Sequence, residues 1–465
     1  MRSHKTRLLL SLLALAFVIV TVPFFRFAQA ATITVVNLDG PGEGFNDPTP
    51  VAPVGGNPAT TLGAQRLNAF QAAADLWGTL LNSSVTIRVG ANFDPLSCST
   101  TSGTLGSAGP ENVIRDFTGA PVANTWFPLA LANSLAGVDL DPSGDDIGAT
   151  FNSNVGTAGC LSASGWYYGL DANPPSNRID LVAVVLHELG HGLGFSTLVN
   201  LATGAKALGF NDTYMRFLEN HSTGKLYPNM TNAERVAASM DTGDLHWVGP
   251  NVVAASGFLT SGGDPVSGHV EMFAPNPQQP GSSVSHFSNA LFPNELMEPA
   301  YTGPNHDVAL TAELFKDIGW NLNIIFADSM ESGSNGWLAT GTWGQTTTTA
   351  HSPTHSWTDS PGGNYANNQF TAIFSPVINL AGQSSPLLTF WHRYAFGSGD
   401  AGFVMVYNGT YNVIGAFVGN NVSWHQDALS LSAFAGQSVI VVFVFASDAS
   451  GVADGWYIDD VGVGP

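Results

Sequence analysis

Charge is scarce in this 465-residue chain: Asp, Glu, Lys and Arg make up 11% of it, less than half the share usual in globular proteins. Positive charge is scarcer still, with 14 Lys+Arg against 35 Asp+Glu and a formal net charge of −21. Four of the cations (Arg2, Lys5, Arg7 and Arg26) stand in the first 30 residues, which hold no acid. Beyond residue 30 the chain is therefore strongly acidic and repels a phosphate backbone, which argues against nucleic acid as a partner. Cysteine is limited to Cys98 and Cys160, and two thiols so far apart lack the close pairs of a thiolate zinc site. No apolar run after residue 30 is long enough to span a bilayer; the one at 439–446 has strand length. A Gly-x-Ser-x-Gly elbow and a phosphate-binding glycine loop are both missing, so neither a serine hydrolase nor a nucleotide site has an anchor. Apolar residues are plentiful, at 44% with 52 Gly and 27 Pro, and that excludes intrinsic disorder.

Residues 1–30 read as an export signal. A basic start (Arg2, Lys5, Arg7) precedes an apolar run over 8–25, and Ala28-Gln29-Ala30 fits a small-residue cleavage site. The expected mature chain starts at Ala31, is secreted, and keeps no stable membrane insertion once the signal is cleaved. In an exported chain, one disulfide between Cys98 and Cys160 is the default. Residues 31–323 mix periodicities. The stretch 31–38 alternates like a strand. Leu67, Phe70, Ala74, Trp77 and Leu81 mark the buried face of a helix over 61–81. Strands are expected at 85–89 and 146–152, and helices at 180–194, with Asp180 as N-cap, and at 305–320. Residues 324–465 lose the helical period. Runs of β-branched and aromatic residues at 371–380, 387–396, 403–407, 411–418, 438–446 and 456–463, with Asn408-Gly409 as a hairpin turn, read as an all-β sandwich or jelly roll.

The strongest chemical signal is VVLHELGHGLGF, residues 184–195. His187 and His191 stand one helical turn apart and can grip one metal ion, with Glu188 beside them within reach of a water. Zinc brings the pKa of such a water toward neutrality, and a carboxylate can then act as general base. A catalytic zinc takes a third protein ligand and leaves one position open. Thr197, three residues beyond Gly194, is a poor ligand. The candidates are therefore His221, His246, His269, His286 and His306. His286, in SHFSNALFPNELMEP, has the most informative neighbourhood, and His269 is its main rival. A carboxylate third ligand, Glu219 or Glu234, is the lesser alternative. Tyr301 is a candidate to stabilise an oxyanion. Asp139, Asp141, Asp145 and Asp146 form an acidic turn that fits no defined calcium loop.

HELGHGLGF followed, after a long insert over 196–285, by SHFSNALFPNELMEP resembles the leishmanolysin-type branch of the metzincin metallopeptidases. That resemblance implies an α+β metzincin-like zinc peptidase domain. It implies His187, His191 and His286 as zinc ligands, Glu188 as general base and Met297 as the Met-turn. By the same resemblance, DDIGATFN (145–152) matches the edge strand on which an extended substrate pairs. The missing local third ligand is shared with that branch, whereas the few cysteines depart from it, since its members are usually disulfide-rich.

Residues 326–465 resemble the jelly-roll module on the C-terminal side of immune inhibitor A-like secreted peptidases, which is related in architecture to MAM-type domains. The resemblance implies a structural calcium on Asp328, Glu331 and Asp460, with Asp459 as the alternative to Asp460. Trp337, Trp343, Trp391 and Trp456 are expected in the core of the sandwich, where exposure would instead let them stack on sugars. The expected function is a secreted zinc-dependent endopeptidase acting on protein or peptide substrates, with possible carbohydrate or cell-surface contact through the second domain. The alternative is a secreted adhesive or glycan-binding protein whose peptidase-like half is inactive.

Overall fold

The computed structural model describes residues 30–464 apart from 324, 332, 353, 381–382 and 384–385. The expected signal segment, residue 30 excepted, lies outside the described residues. Strand β1 (Ile33–Asn37) leads into helix α1 (Leu62–Leu80), whose N-cap Thr61 accepts from the Ala64 N–H. Its buried stripe runs through Ala69, Phe70, Ala73, Ala74 and Trp77. Leu67, expected on that face, is exposed, because the stripe is centred one position further round the helix.

Four strands form the first sheet: β1, β2 (Ile87–Asp94), β3 (Gly106–Pro110) and β4 (Ile147–Asn152), in the order β1-β2-β4-β3. The first three in that order are parallel, and β3 runs antiparallel to β4. This corrects the expectation for 145–152. That segment is paired on both sides, and the sheet's edge is the Gly-rich strand GSAGP.

Helix α2 (Leu181–Leu193) carries the HELGH sequence and is apolar almost all round, as befits a helix enclosed by its neighbours. Asp180 is its N-cap, with the side chain accepting from Val182 N–H at 2.9 Å. Gly194, at φ 127°, ends it. Two indoles fix the helix in place. Trp77 Nε1 donates to the Leu186 carbonyl at 3.0 Å, and Trp320 Nε1 to that of Leu193 at 2.9 Å. The second tryptophan comes just after helix α3 (Ala309–Ile318), shorter than the expected 305–320.

Between α2 and α3, the insert builds a small antiparallel sheet. It contains Lys225–Leu226, β5 (Leu218–Asn220), β6 (Leu245–Trp247) and β7 (Val270–Glu271), side by side in that order. One apolar core gathers residues from Ala31 to Trp320, and a second gathers residues from Met330 to Val463.

The second core lies between two sheets. One contains Gly344–Thr346, Ser356–Thr358, Gly455–Gly464, Leu387–Ala395 and Asn420–Ser430, with Phe326–Asp328 also paired to Gly455–Gly464. The other contains Leu338–Ala339, Phe370–Phe374, Ser438–Ala446, Ala401–Tyr407 and Tyr411–Val418. Trp337, Trp343 and Trp456 lie in this core as expected. Trp391 is half-buried instead, with the His351 ring stacked on it at 3.6 Å.

Candidate metal centre

His187 and His191 project from successive turns of α2, and the loop holding His286 brings a third imidazole against them. The three Nε2 atoms form a triangle with sides of 3.1, 3.2 and 3.2 Å. Each ring donates its Nδ1–H to a backbone carbonyl: His187 to Leu296 at 2.8 Å, His191 to Phe195 at 2.9 Å and His286 to Ser282 at 2.8 Å. Those bonds fix the tautomers and turn three Nε2 lone pairs toward one point. Three lone pairs cannot satisfy one another. A tetrahedral zinc with bonds of about 2.0–2.1 Å sets its nitrogens about 3.3–3.4 Å apart, so the triangle is of the right size for that ion. Burial lowers the pKa of all three rings, that of His191 to about 3. They are neutral donors, as a metal requires.

Glu188 is buried beside the triangle and accepts the backbone N–H of Ala108; burial pushes its carboxyl up to about 8. The carboxylate fits only because residue 106 is glycine. A Cβ there would stand 2.7 Å from Glu188 Cγ. Met297 is fully buried beneath α2, where a Cβ on Gly190 would meet its Sδ at 2.6 Å. Its carbonyl accepts from Phe287 N–H at 2.9 Å, and the neighbouring Leu296 carbonyl holds His187. The turn therefore braces two of the three histidines. Glu298 closes it by accepting from Glu295 N–H at 2.8 Å.

The triangle opens into a cleft of about 1010 Å³. The outer strand β3 forms one wall through Gly106, Ser107 and Ala108, and Tyr301 stands on another. The Tyr301 hydroxyl accepts from Asp180 N–H at 3.1 Å, so it steadies the helix N-terminus and keeps its own proton to donate. The Cys98–Cys160 disulfide is formed, and Cys98 reaches the cleft rim.

The other candidates are placed elsewhere. His306 Nε2 bonds the buried Asp180 carboxylate at 2.9 Å. Thr197 bonds Asp212 and so anchors the start of the insert. Glu234 closes a capping box and pairs with Lys225 at the surface. His221, His246 and His269 gather with Glu219 in a separate cluster. The acidic turn is knit internally: Asp146 to Arg88 N–H and Asn133, Asp145 to Arg88, Asp141 to Ser143.

The three acids expected to share calcium do not form a cluster among the described residues. Asp328 accepts from Met330 N–H, Asn335 and Trp337, Glu331 from Thr354 and His355, and Asp460 pairs with His351. Asp459, not Asp460, is the fully buried one, and it takes the amides of His351 and Ser352.

Strand β3, which lines the cleft, escaped the sequence reading. GSAGP has no β-branched or aromatic residue, so nothing in its composition marks it as a strand.

No protein-family model matches the chain. Over 149 residues it is 33% identical to bacillopeptidase F of Bacillus subtilis (strain 168), a match covering 29% of this chain and 10% of that protein. The chain thus spans about a tenth of the relative's length. Among solved structures, the CBM22-1 xylan-binding domain of Paenibacillus barcinonensis Xyn10C matches at 15% identity with a TM-score of 0.24, over 30% of this chain and 93% of that one. The K1 cleaved adhesin domain of Lys-gingipain from Porphyromonas gingivalis W83 matches at 15% identity and a TM-score of 0.24, over 30% and 96%. A family 16 carbohydrate-binding module matches at 19% and 0.23, over 30% and 99%.

Proposed function

We propose that the chain is a secreted zinc-dependent endopeptidase of metzincin type with an appended β-sandwich. The observation that carries this reading is the triangle of Nε2 lone pairs beside a buried carboxylate. His187, His191 and His286 would hold the ion. When bound, zinc supplies Lewis acidity, polarising a carbonyl and acidifying a water. Glu188 accepts the proton of the attacking water and returns it to the leaving nitrogen. Strand β3 ends its sheet along the cleft wall, so an extended peptide can add to it as a further strand with its scissile bond near Glu188. Tyr301 donates its proton toward the developing negative oxygen. A distant relationship to one peptidase agrees with this class of reaction.

Secretion is inferred from the signal-like N-terminus and the disulfide. No helix among the described residues is long and apolar enough to cross a membrane.

The test is casein cleavage by the mature chain before and after treatment with a strong zinc chelator. Activity should be lost on chelation and restored by adding zinc back. Cleavage that persists with no metal bound would overturn the reading.

A further inference from the structure

The insert holds a second convergence of metal-binding side chains, away from the cleft. Residues Glu219 and His246 face each other across β5 and β6, and His246 faces Glu271 across β6 and β7. His221 lies two residues beyond Glu219 and His269 two before Glu271, so strand alternation brings Glu219, His221, His246 and His269 to one face of the sheet. The distances are those of a coordination shell. Glu219 Oε1 lies 3.4 Å from His221 Nδ1 and 3.3 Å from His269 Nδ1, and the two Nδ1 atoms are 3.3 Å apart. All three edges match the roughly 3.3–3.4 Å between ligand atoms of a tetrahedral zinc. His246 adds a third imidazole beside them: its ring stacks on that of His221 with centroids 4.4 Å apart, and the three histidines offer nitrogens within 4.8 Å of one another.

His246 decides what the cluster is for. The residue is 4% exposed, and its Nε2 lies 3.3 Å from the Gly243 carbonyl, so that nitrogen carries the ring proton. Nδ1 is then a bare lone pair, buried and without a hydrogen-bond partner. A buried acceptor left unpaired is costly, and here a cation would satisfy it. Asp264 lies 3.5 Å from His221 Nε2, where it orients that ring as carboxylates behind metal-bound histidines do.

We propose that Glu219, His221, His246 and His269 form a second zinc site, closed by four protein ligands and therefore structural. Three imidazoles and one carboxylate suit zinc better than the harder cations. The site ties three strands together next to the loop carrying the third catalytic histidine. Glu271 accepts from Ser288 N–H at 3.0 Å, and Phe273 N–H donates to the His286 carbonyl at 2.9 Å.

Metal counting tests the second site independently of peptidase activity. The mature wild-type chain should hold two equivalents of zinc after extensive dialysis. A His187→Ala/His191→Ala variant should hold one, and so should a His221→Asn/His269→Asn variant, whose altered side chains are partly exposed. Should that second variant fail to fold, cobalt loaded into the His187→Ala/His191→Ala chain should still give the intense visible bands of a four-coordinate site. One equivalent in the wild type and none in His187→Ala/His191→Ala would overturn the second site and leave the catalytic one standing. One equivalent retained in that variant but none added by the catalytic histidines would instead overturn the peptidase centre.

Discussion

Glycine at position 106 governs where the Glu188 carboxylate can stand. A methyl group there would press on the buried Glu188 at Cγ, 2.7 Å away. Gly106→Ala is therefore expected to keep zinc and fold but to lower kcat/KM by about 10-fold or more, since a small misplacement of a reacting group is costly. Parallel zinc analysis and casein kinetics check this. Asp359 raises a different residue-scale question, in the sandwich. Its Oδ1 accepts from Trp456 N–H while its Oδ2 is buried without a partner, and burial pushes the carboxyl up to about 7. A raised carboxyl pKa favours the protonated folded state. Its stabilisation is complete below about pH 4, and it is lost as pH rises to about 7. Asp359→Asn should abolish that part of the pH dependence and stabilise the sandwich at pH 8 by on the order of 2–4 kcal/mol. Denaturant melts at pH 4 and pH 8 read it directly, and an equal effect at both pH values would contradict the assignment.

At the scale of elements, legibility followed periodicity. Helix α2 was readable to within a residue because Asp180 caps it and Gly194 ends it. The hairpin at Asn408-Gly409 was readable because Gly409 takes the positive φ its turn needs. Strand β3 has no such pattern, and Asn420–Ser430 hid behind its polar composition. The third histidine was legible only through its neighbours, ELMEP above all. His269 and Glu219, each weighed as a rival ligand, belong together at a different place, which single-residue reasoning had no means of showing. The loops around the cleft depend on a covalent tie. Cys98 and Cys160 are 62 residues apart, and cross-linking a loop of that length is worth about 4 kcal/mol in the chain-entropy account. A Cys98→Ser/Cys160→Ser variant should melt at lower temperature and be cleaved more readily within 98–160. Unchanged melting and proteolysis would remove the disulfide from the stability argument.

For the whole molecule, the arrangement divides labour. One core carries the triangle of histidines and an open strand edge, and the other carries a sandwich with four tryptophans inside, Trp337, Trp343, Trp357 and Trp456. The two join where Asn323 Nδ2 donates to the Leu81 carbonyl at 2.7 Å and Ile325 N–H to that of Val463 at 2.9 Å. A scaffold alone would not require a buried carboxylate next to three aligned lone pairs. The most direct test of the central claim sets the mature chain beside Glu188→Ala, measuring zinc content and casein cleavage on the same preparations. The account predicts equal zinc in both, cleavage by the wild type, and a loss of at least a thousandfold in the variant. Equal cleavage by both chains would contradict it.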